Sequence, residues 1–174
     1  MDFKTGEYLQ LGATNQSYGY QPPVSDKEKT TIWFAEPLKR LKGDEAFIFL
    51  MVCFPLLETI IRQELDISDE IDVPFSDNSK PLQWFAEFMT IPAVNAREVW
   101  DAFRNGLLHR AMIKNTLSYE LTGKSEGRPA KVANGIVTIY VWELRDKVVT
   151  KLEQHHKRLW RSGSNYLPKI FAIA

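Results

Sequence analysis

Apolar side chains recur at helical spacing in several stretches of this chain of 174 residues. That period places them on one face of an α-helix, where packing against other helices buries them. The pattern predicts helices over 44–65, 82–90, 96–114 and 136–160. We therefore expect an all-α antiparallel bundle that forms a single domain over residues 26–174. Residues 1–25, with frequent glycine and proline, are predicted to form an irregular N-terminal arm, and an extended apolar tail follows the last helix.

Two weaker signals lie outside these four helices. Residues 26–42 favour a short helix, because Ser25 can cap its first turn and Glu28 stands at the capping-box position. The polar stretch after the third helix permits a weak hairpin between Tyr119–Thr122 and Ala130–Ala133.

The most apolar stretch, Ala46–Leu57, lies in the first of the four helices and ends at Glu58. A helix needs about 20 apolar residues to span a bilayer. This stretch is shorter, so we predict a buried core helix and no membrane partner.

The helix over 96–114 has the most informative pattern. At about 100° per residue, one apolar stripe is predicted to face the core. The stripe comprises Ala96, Trp100, Phe103, Leu107 and Ala111. Arg104 borders it, and His109 is predicted to lie on the side opposite Trp100.

The same helix carries two further apolar residues, Leu108 and Met112, outside its core stripe. Apolar residues beside arginine and histidine suggest a second buried surface, such as a homodimer interface. Arg104 and His109 would then be polar groups held at that interface. A surface histidine without a function remains the plainer interpretation of His109.

Charge is unevenly distributed, although the net charge is zero. Residues 1–103 contain 9 Lys and Arg against 17 Asp and Glu, whereas residues 104–174 contain 13 against 5. The balances are therefore −8 and +8. A basic C-terminal part attracts phosphate, but the two halves also attract each other, so both interpretations stay open. The candidates for contacts with a nucleic-acid backbone are Arg110, Lys114, Lys124, Arg128 and Lys131. For the loop that contains the last three, a solvated segment without a ligand is the plainer interpretation.

Cysteine and histidine usage predicts a protein of the reducing cytoplasm without a metal or cofactor. Cys53 is the only cysteine, so a disulfide within the chain is excluded and a buried thiol is expected. The first residues lack the basic stretch and apolar segment of a signal peptide. His155 and His156 are adjacent and point to different sides of a helix, unlike the i, i+4 pair that binds zinc.

Arg104, Asn105 and His109 form the only Arg-x4-His sequence of the chain, with asparagine directly after the arginine. In its helical setting, with Trp100 and Phe103 just before it, this motif resembles the signature of the HEPN superfamily. That signature is an arginine, usually followed by a polar residue, and a histidine a few residues further on.

The resemblance implies an all-helical bundle that dimerises through the motif helix and often acts as a metal-independent endoribonuclease. It implies three catalytic residues: Arg104 holds the phosphate, His109 transfers protons, and Asn105 orients the ring or the phosphate. It also implies a role in toxin–antitoxin or phage-defence systems. The implied partners are RNA, a second copy of the chain and a nucleotidyltransferase-like antitoxin.

Many members of the superfamily are not catalytic, so a second hypothesis remains open. The chain would then be a non-catalytic HEPN-like helical dimer that binds a partner protein, a nucleotide or RNA. Arg104 and His109 would form an interface hydrogen-bond pair. A structural subunit without a small ligand is a third, weaker hypothesis.

Overall fold

The computed structural model describes residues 25–67, 75–107, 112–113 and 118–159. The α-helices of these residues are α1 (Asp26–Thr30), α2 (Glu36–Arg40), α3 (Ala46–Glu64), α4 (Lys80–Met89), α5 (Ala93–Trp100) and α6 (Val141–Leu159). The π-helical turn Thr31–Ala35 joins α1 to α2, and a second π-helical turn, Asp101–Asn105, continues α5. The 3₁₀ turn Gly43–Glu45 precedes α3. The strands are β1 (Ser118–Thr122), β2 (Ala130–Ala133) and β3 (Ile136–Tyr140).

The prediction of an all-α bundle is wrong, because these strands form a mixed sheet of order β1-β3-β2. β3 pairs in parallel with β1 and antiparallel with β2. The helix predicted over 136–160 fails in its first residues, since Ile136–Tyr140 is β3 and α6 begins only at Val141. The residues of β3, IVTIY, are all β-branched or aromatic, which favours a strand over a helix.

A two-residue turn, Asn134-Gly135, joins β2 to β3. Both residues have positive φ angles, 51° and 73°, as a type I′ turn requires. Asparagine and glycine adopt this conformation at little cost, so Asn-Gly between two apolar runs indicates a hairpin. The predicted hairpin between Tyr119–Thr122 and Ala130–Ala133 is right in the positions of two strands, β1 and β2. Its pairing is wrong, because β3 lies between these strands in the sheet.

Of the other predicted helices, the one over 96–114 begins earlier, at Ala93, and its predicted end is wrong because Met112 and Ile113 are not helical. The other two lie close to where the apolar pattern placed them. The ranges 44–65 and 82–90 correspond to α3 and α4. α1 begins with the capping box, in which the Ser25 side chain accepts from the Glu28 N–H and the Glu28 side chain accepts from the Ser25 N–H. These bonds satisfy backbone donors that the first helical turn leaves open.

An aromatic cluster joins α3, α4 and the motif helix, by which we mean α5 and its π-helical continuation. Phe54 of α3 stacks on Phe103 with ring centroids 5.5 Å apart and meets Trp100 edge-on at 6.0 Å. Phe85 of α4 lies 5.0 Å from Trp100. Offset and edge-to-face ring pairs at such distances are favourable, so they fix the motif helix against the centre of the core.

The last helix, α6, packs along α3 and also contacts α1 and α2. Its buried apolar residues follow helical spacing; they include Val141, Leu144, Val148 and Leu152. Within the described parts of the chain, we find no helix with both the length and the apolar character needed to cross a bilayer.

Candidate functional site

The helix that carries Arg104 and Asn105 changes its geometry at the motif. It begins at Ala93, earlier than predicted, and after Trp100 it widens into the π-helical turn Asp101–Asn105. A π-helical turn accommodates an extra residue and occurs frequently at functional sites. Both described motif residues therefore lie in an unusual segment of backbone.

The core contacts of the motif helix extend beyond its predicted stripe. The stripe residues that the structure describes are all buried; they are Ala96, Trp100, Phe103 and Leu107. Ala102 is also fully buried, although a straight helix would place it opposite Trp100. The buried surface of this helix is therefore wider than predicted at the π-helical turn. The predicted position of His109 opposite Trp100 lies outside the described residues.

Arg104 donates hydrogen bonds to two neighbours. Its Nε and Nη2 both donate to Oε2 of Glu58, at 3.0 and 2.7 Å, and its Nη1 donates to Oδ1 of Asn105 at 3.0 Å. The contact with Glu58 is charge-assisted, the stronger kind of hydrogen bond. These bonds hold the guanidinium in place, and 27% of the Arg104 side chain is exposed to solvent.

Glu58 of α3 is the site residue that the sequence analysis missed. Its second oxygen, Oε1, accepts from Nη2 of Arg62 at 3.4 Å, so one carboxylate contacts two arginines. The i, i+4 spacing of Glu58 and Arg62 is visible in the sequence and typical of a helical ion pair. The pairing with Arg104 is not, because it depends on how α3 and the motif helix pack.

Asn105 connects Arg104 to a second acidic residue. Its Nδ2 donates to Oδ1 of Asp101 at 2.9 Å, and Oδ2 of Asp101 accepts from Nε of Arg97 at 2.8 Å. Arg97 also donates to the backbone carbonyl of Phe75. Among the described residues, its amide bonds to groups of its own helix and orients the guanidinium of Arg104. The expected role of Asn105 in orienting His109 or a phosphate stays a prediction, because His109 lies outside the described residues.

Several residues of the expected site lie outside the described residues. They are Leu108, His109, Arg110 and Lys114. Met112 is described, and this residue is 64% exposed. The described part of the predicted dimer surface is therefore an uncovered apolar side chain.

The three other basic candidates lie on the segment between β1 and β3. Lys124 is exposed, Arg128 donates to Oε2 of Glu126 at 2.9 Å, and Lys131 is partly buried in β2. The side-chain bonds of Arg104 go to α3 and to its own helix. The hydrogen bonds of Arg104 therefore do not connect it to these three residues.

The loop after β1 is fixed to the start of α6 by Glu143. Oε1 of Glu143 accepts from the Ser125 hydroxyl and, at 2.8 Å, from the Gly127 N–H. The Ser125 hydroxyl, followed by backbone N–H groups of Gly127, Arg128 and Glu126, holds the pKa of Glu143 below its ordinary value. The backbone that carries the basic side chains of this loop is therefore fixed to α6 by Glu143.

The described residues offer neither a cluster of metal ligands nor a reactive thiol. Among them, no group of three or more His, Cys, Asp and Glu side chains could hold a metal ion. Cys53 is buried, and burial raises the pKa of its thiol well above the ordinary value. A thiol in that state is a poor nucleophile, so Cys53 acts as an apolar core residue.

The chain matches no family model, no curated protein and no solved structure. Its described fold also differs from the all-helical bundle that the HEPN resemblance implies, since it includes the sheet β1-β3-β2. The resemblance therefore consists of the motif residues Arg104, Asn105 and His109, of which the structure describes the first two.

Proposed function

We propose that this protein is a metal-independent endoribonuclease in which Arg104 holds the scissile phosphate and His109 transfers protons. The observation that supports this best is the state of Arg104. Its guanidinium is fixed by Glu58 and Asn105, and its side chain remains partly exposed. A cation in that state suits the binding of an anionic substrate at a defined position.

Arg104 has N–H groups left with which it can bind a phosphate. A guanidinium has five N–H groups. Three of them, one on each nitrogen, are used by Glu58 and Asn105. One N–H therefore remains on each terminal nitrogen, the number that a bidentate contact with two phosphate oxygens uses. Because the side chain is already ordered, phosphate binding costs little additional side-chain entropy.

In the proposed reaction, the 2′-hydroxyl of RNA attacks the adjacent phosphorus and the 5′-oxygen leaves. The products carry a 2′,3′-cyclic phosphate and a 5′-hydroxyl. One group must accept the proton of the 2′-hydroxyl and another must protonate the leaving oxygen, and a histidine with a pKa of about 6.5 can serve in either role. Arg104 stabilises the negative charge that develops on the phosphorane oxygens.

A homodimer is part of the proposal, because one chain supplies only one histidine in the motif. Two motif helices that meet near Leu108 and the exposed Met112 would combine two histidines in one site. The basic residues that would contact the RNA backbone are Arg110, Lys114, Lys124, Arg128 and Lys131. A place in a toxin–antitoxin or phage-defence system, with a nucleotidyltransferase-like antitoxin, is proposed from the HEPN resemblance alone.

One observation favours a second candidate, a binding protein without nuclease activity. Nη2 of Arg104 lies only 2.7 Å from Glu58, and most of its side chain is buried. These are also features of an ion pair that holds two helices together. Arg104 would then stabilise the contact of α3 with the motif helix, and the surface at Met112 would bind a partner protein, a nucleotide or uncut RNA.

The test is an assay of single-stranded RNA cleavage in a chelating buffer with purified wild type and matched variants. His109→Ala should lower the rate about 10²–10⁴-fold, the usual effect of one general acid or base. Arg104→Ala should lower it on the order of 10²-fold or more. The controls are His156→Ala and Arg145→Ala; Arg145 is an arginine of α6 that donates to the Leu41 carbonyl at 2.9 Å.

The pattern of losses separates the candidates. The nuclease proposal requires full activity in both controls and strong losses in both motif variants. Equal cleavage by wild type and His109→Ala would assign the activity to another site or to a contaminant. If the wild type binds several RNAs but cuts none of them, the binding protein is the correct candidate.

A further inference from the structure

Three charged side chains form a row that runs from the interior towards solvent. The exposed fractions of Arg62, Glu58 and Arg104 are 6, 17 and 27%. Each oxygen of the Glu58 carboxylate contacts a different arginine. The carboxylate therefore cannot rotate without losing one of these contacts.

The charges of the row leave Arg104 able to attract an anion. Glu58 and Arg104 alone would form a neutral pair, and the carboxylate would repel a phosphate that approaches Arg104. Arg62 compensates the carboxylate from the interior side, so the three residues together carry +1. The exposed end of the row thus keeps a field that favours a phosphate.

We propose that Glu58 is a positioning residue of the RNA-cleaving site and that Arg62 holds Glu58 in turn. The inference rests on the proposed function and deepens it. Glu58 takes the edge of Arg104 that bears Nε and Nη2, which fixes the direction in which the remaining N–H groups point. It touches neither the phosphate nor the attacking hydroxyl.

The place of Glu58 in the fold suits this role. α3 is a core helix, and its residues next to Glu58, such as Leu57 and Ile61, are fully buried. The second restraint on Arg104, Asn105, belongs to the motif helix. Arg104 is therefore held by residues of two helices. Such precise placement matters, because a small error in the position of a group that acts on the substrate strongly lowers the reaction rate.

The test combines Glu58→Gln with a matched control on the same helix. Glu64 of α3 pairs with Lys151 of α6 at 2.7 Å, and 21% of its side chain is exposed, so Glu64→Gln removes a similar ion pair away from the motif. Glu58→Gln should lower kcat for RNA cleavage on the order of 10-fold. KM should stay equal or fall, because the substitution removes a negative charge beside the phosphate. Glu64→Gln should leave both constants unchanged.

A double-variant cycle with Arg104→Ala separates positioning from a purely structural role. If Glu58 acts only through Arg104, then Glu58→Gln has no further effect once Arg104 is absent. A loss of folded protein would instead lower activity in both backgrounds. Glu58→Asp provides a second variant should Glu58→Gln fail to fold. It keeps the charge but withdraws the carboxylate from Arg104, and it should lower kcat at unchanged KM.

The outcomes distinguish failure of the positioning role of Glu58 from failure of the proposed nuclease function. A tenfold loss with Arg104 present and none in its absence supports positioning by Glu58. If the wild type cleaves RNA but the Glu58 variants match Glu64→Gln, or lose equally in both backgrounds, only the positioning role is overturned. If the wild type cleaves no RNA, the proposed function is wrong and the inference about Glu58 fails with it.

Discussion

The carboxylate of Glu143 accepts the backbone N–H of Gly127 at 2.8 Å and thereby joins the loop after β1 to the first turn of α6. The Ser125 hydroxyl donates to the same oxygen. These donors stabilise the ionised carboxylate, which is why its pKa lies below the ordinary value. The contact organises the basic loop that we propose to meet the RNA backbone.

The first prediction concerns the pH dependence of stability. A carboxyl whose folded-state pKa is lowered contributes stability above its unfolded pKa, about 4.3 for glutamate, and loses it as pH falls through the folded value. Glu143→Gln should therefore have a lower Tm than the wild type at neutral pH, and the gap should close on acidification. Thermal unfolding by circular dichroism over this pH range is the measurement. Glu87→Gln, at an exposed position of α4, is the control. A gap that stays constant with pH would show that the ionised form is not the stabilising one.

The second prediction concerns the turn between β2 and β3. Gly135 has a φ of 73°, and a Cβ added there would meet nothing within 4 Å. The cost of Gly135→Ala is therefore conformational alone, about 1 kcal/mol of unfolding free energy, because alanine disfavours positive φ. Gly135→Asn should lose less, since asparagine tolerates this conformation. Urea unfolding of both variants checks this, and equal losses would contradict the turn assignment.

The third prediction concerns the aromatic cluster. Phe54 is fully buried between the rings of Phe103, Trp100 and Phe85. Phe54→Ala should lower the free energy of unfolding by about 3–5 kcal/mol, through lost burial and the cavity left behind. Phe54→Leu should cost less because it fills part of that space. Denaturant unfolding measures both, and a loss below about 1 kcal/mol for Phe54→Ala would contradict the packing of α3 on the motif helix.

The fourth prediction concerns the proposed dimer. Met112→Asp should shift the protein towards monomer, because a charge at the centre of an apolar contact is left without a partner. Val94→Asp, at a strongly exposed apolar residue near the start of α5, is the matched control and should leave assembly unchanged. Sedimentation velocity at micromolar concentration measures both. A wild type that is only monomeric, or a Met112→Asp variant that stays dimeric, would exclude this surface.

Apolar periodicity was sufficient to place the core helices α3 and α4, because each buries one face along its whole length. It failed at Ile136–Tyr140, where apolar residues occupy a short buried strand whose pattern resembles the start of a helix. The neighbouring Asn134-Gly135 turn was the local signal that could have resolved this ambiguity.

Only those residues of the candidate site that share one helix could be predicted from the sequence. Arg104 and Asn105 follow from the motif, whereas the partnership of Arg104 with Glu58 depends on the packing of two helices distant in sequence. The π-helical turn Asp101–Asn105 was also beyond prediction, since a wheel assumes one constant twist. Local departures from regular helix geometry are frequent at functional sites, in keeping with the site proposed at Arg104.

The most direct test of the central claim is the chemistry of the cut ends. A single-stranded RNA is incubated with the wild type in a chelating buffer, and a second substrate carries 2′-deoxyribose throughout. We predict 2′,3′-cyclic phosphate and 5′-hydroxyl ends on the RNA products and no cleavage of the deoxyribose substrate, because the 2′-hydroxyl is the nucleophile. Products with 3′-hydroxyl and 5′-phosphate ends, or cleavage of the deoxyribose substrate, would contradict the mechanism assigned to Arg104 and His109.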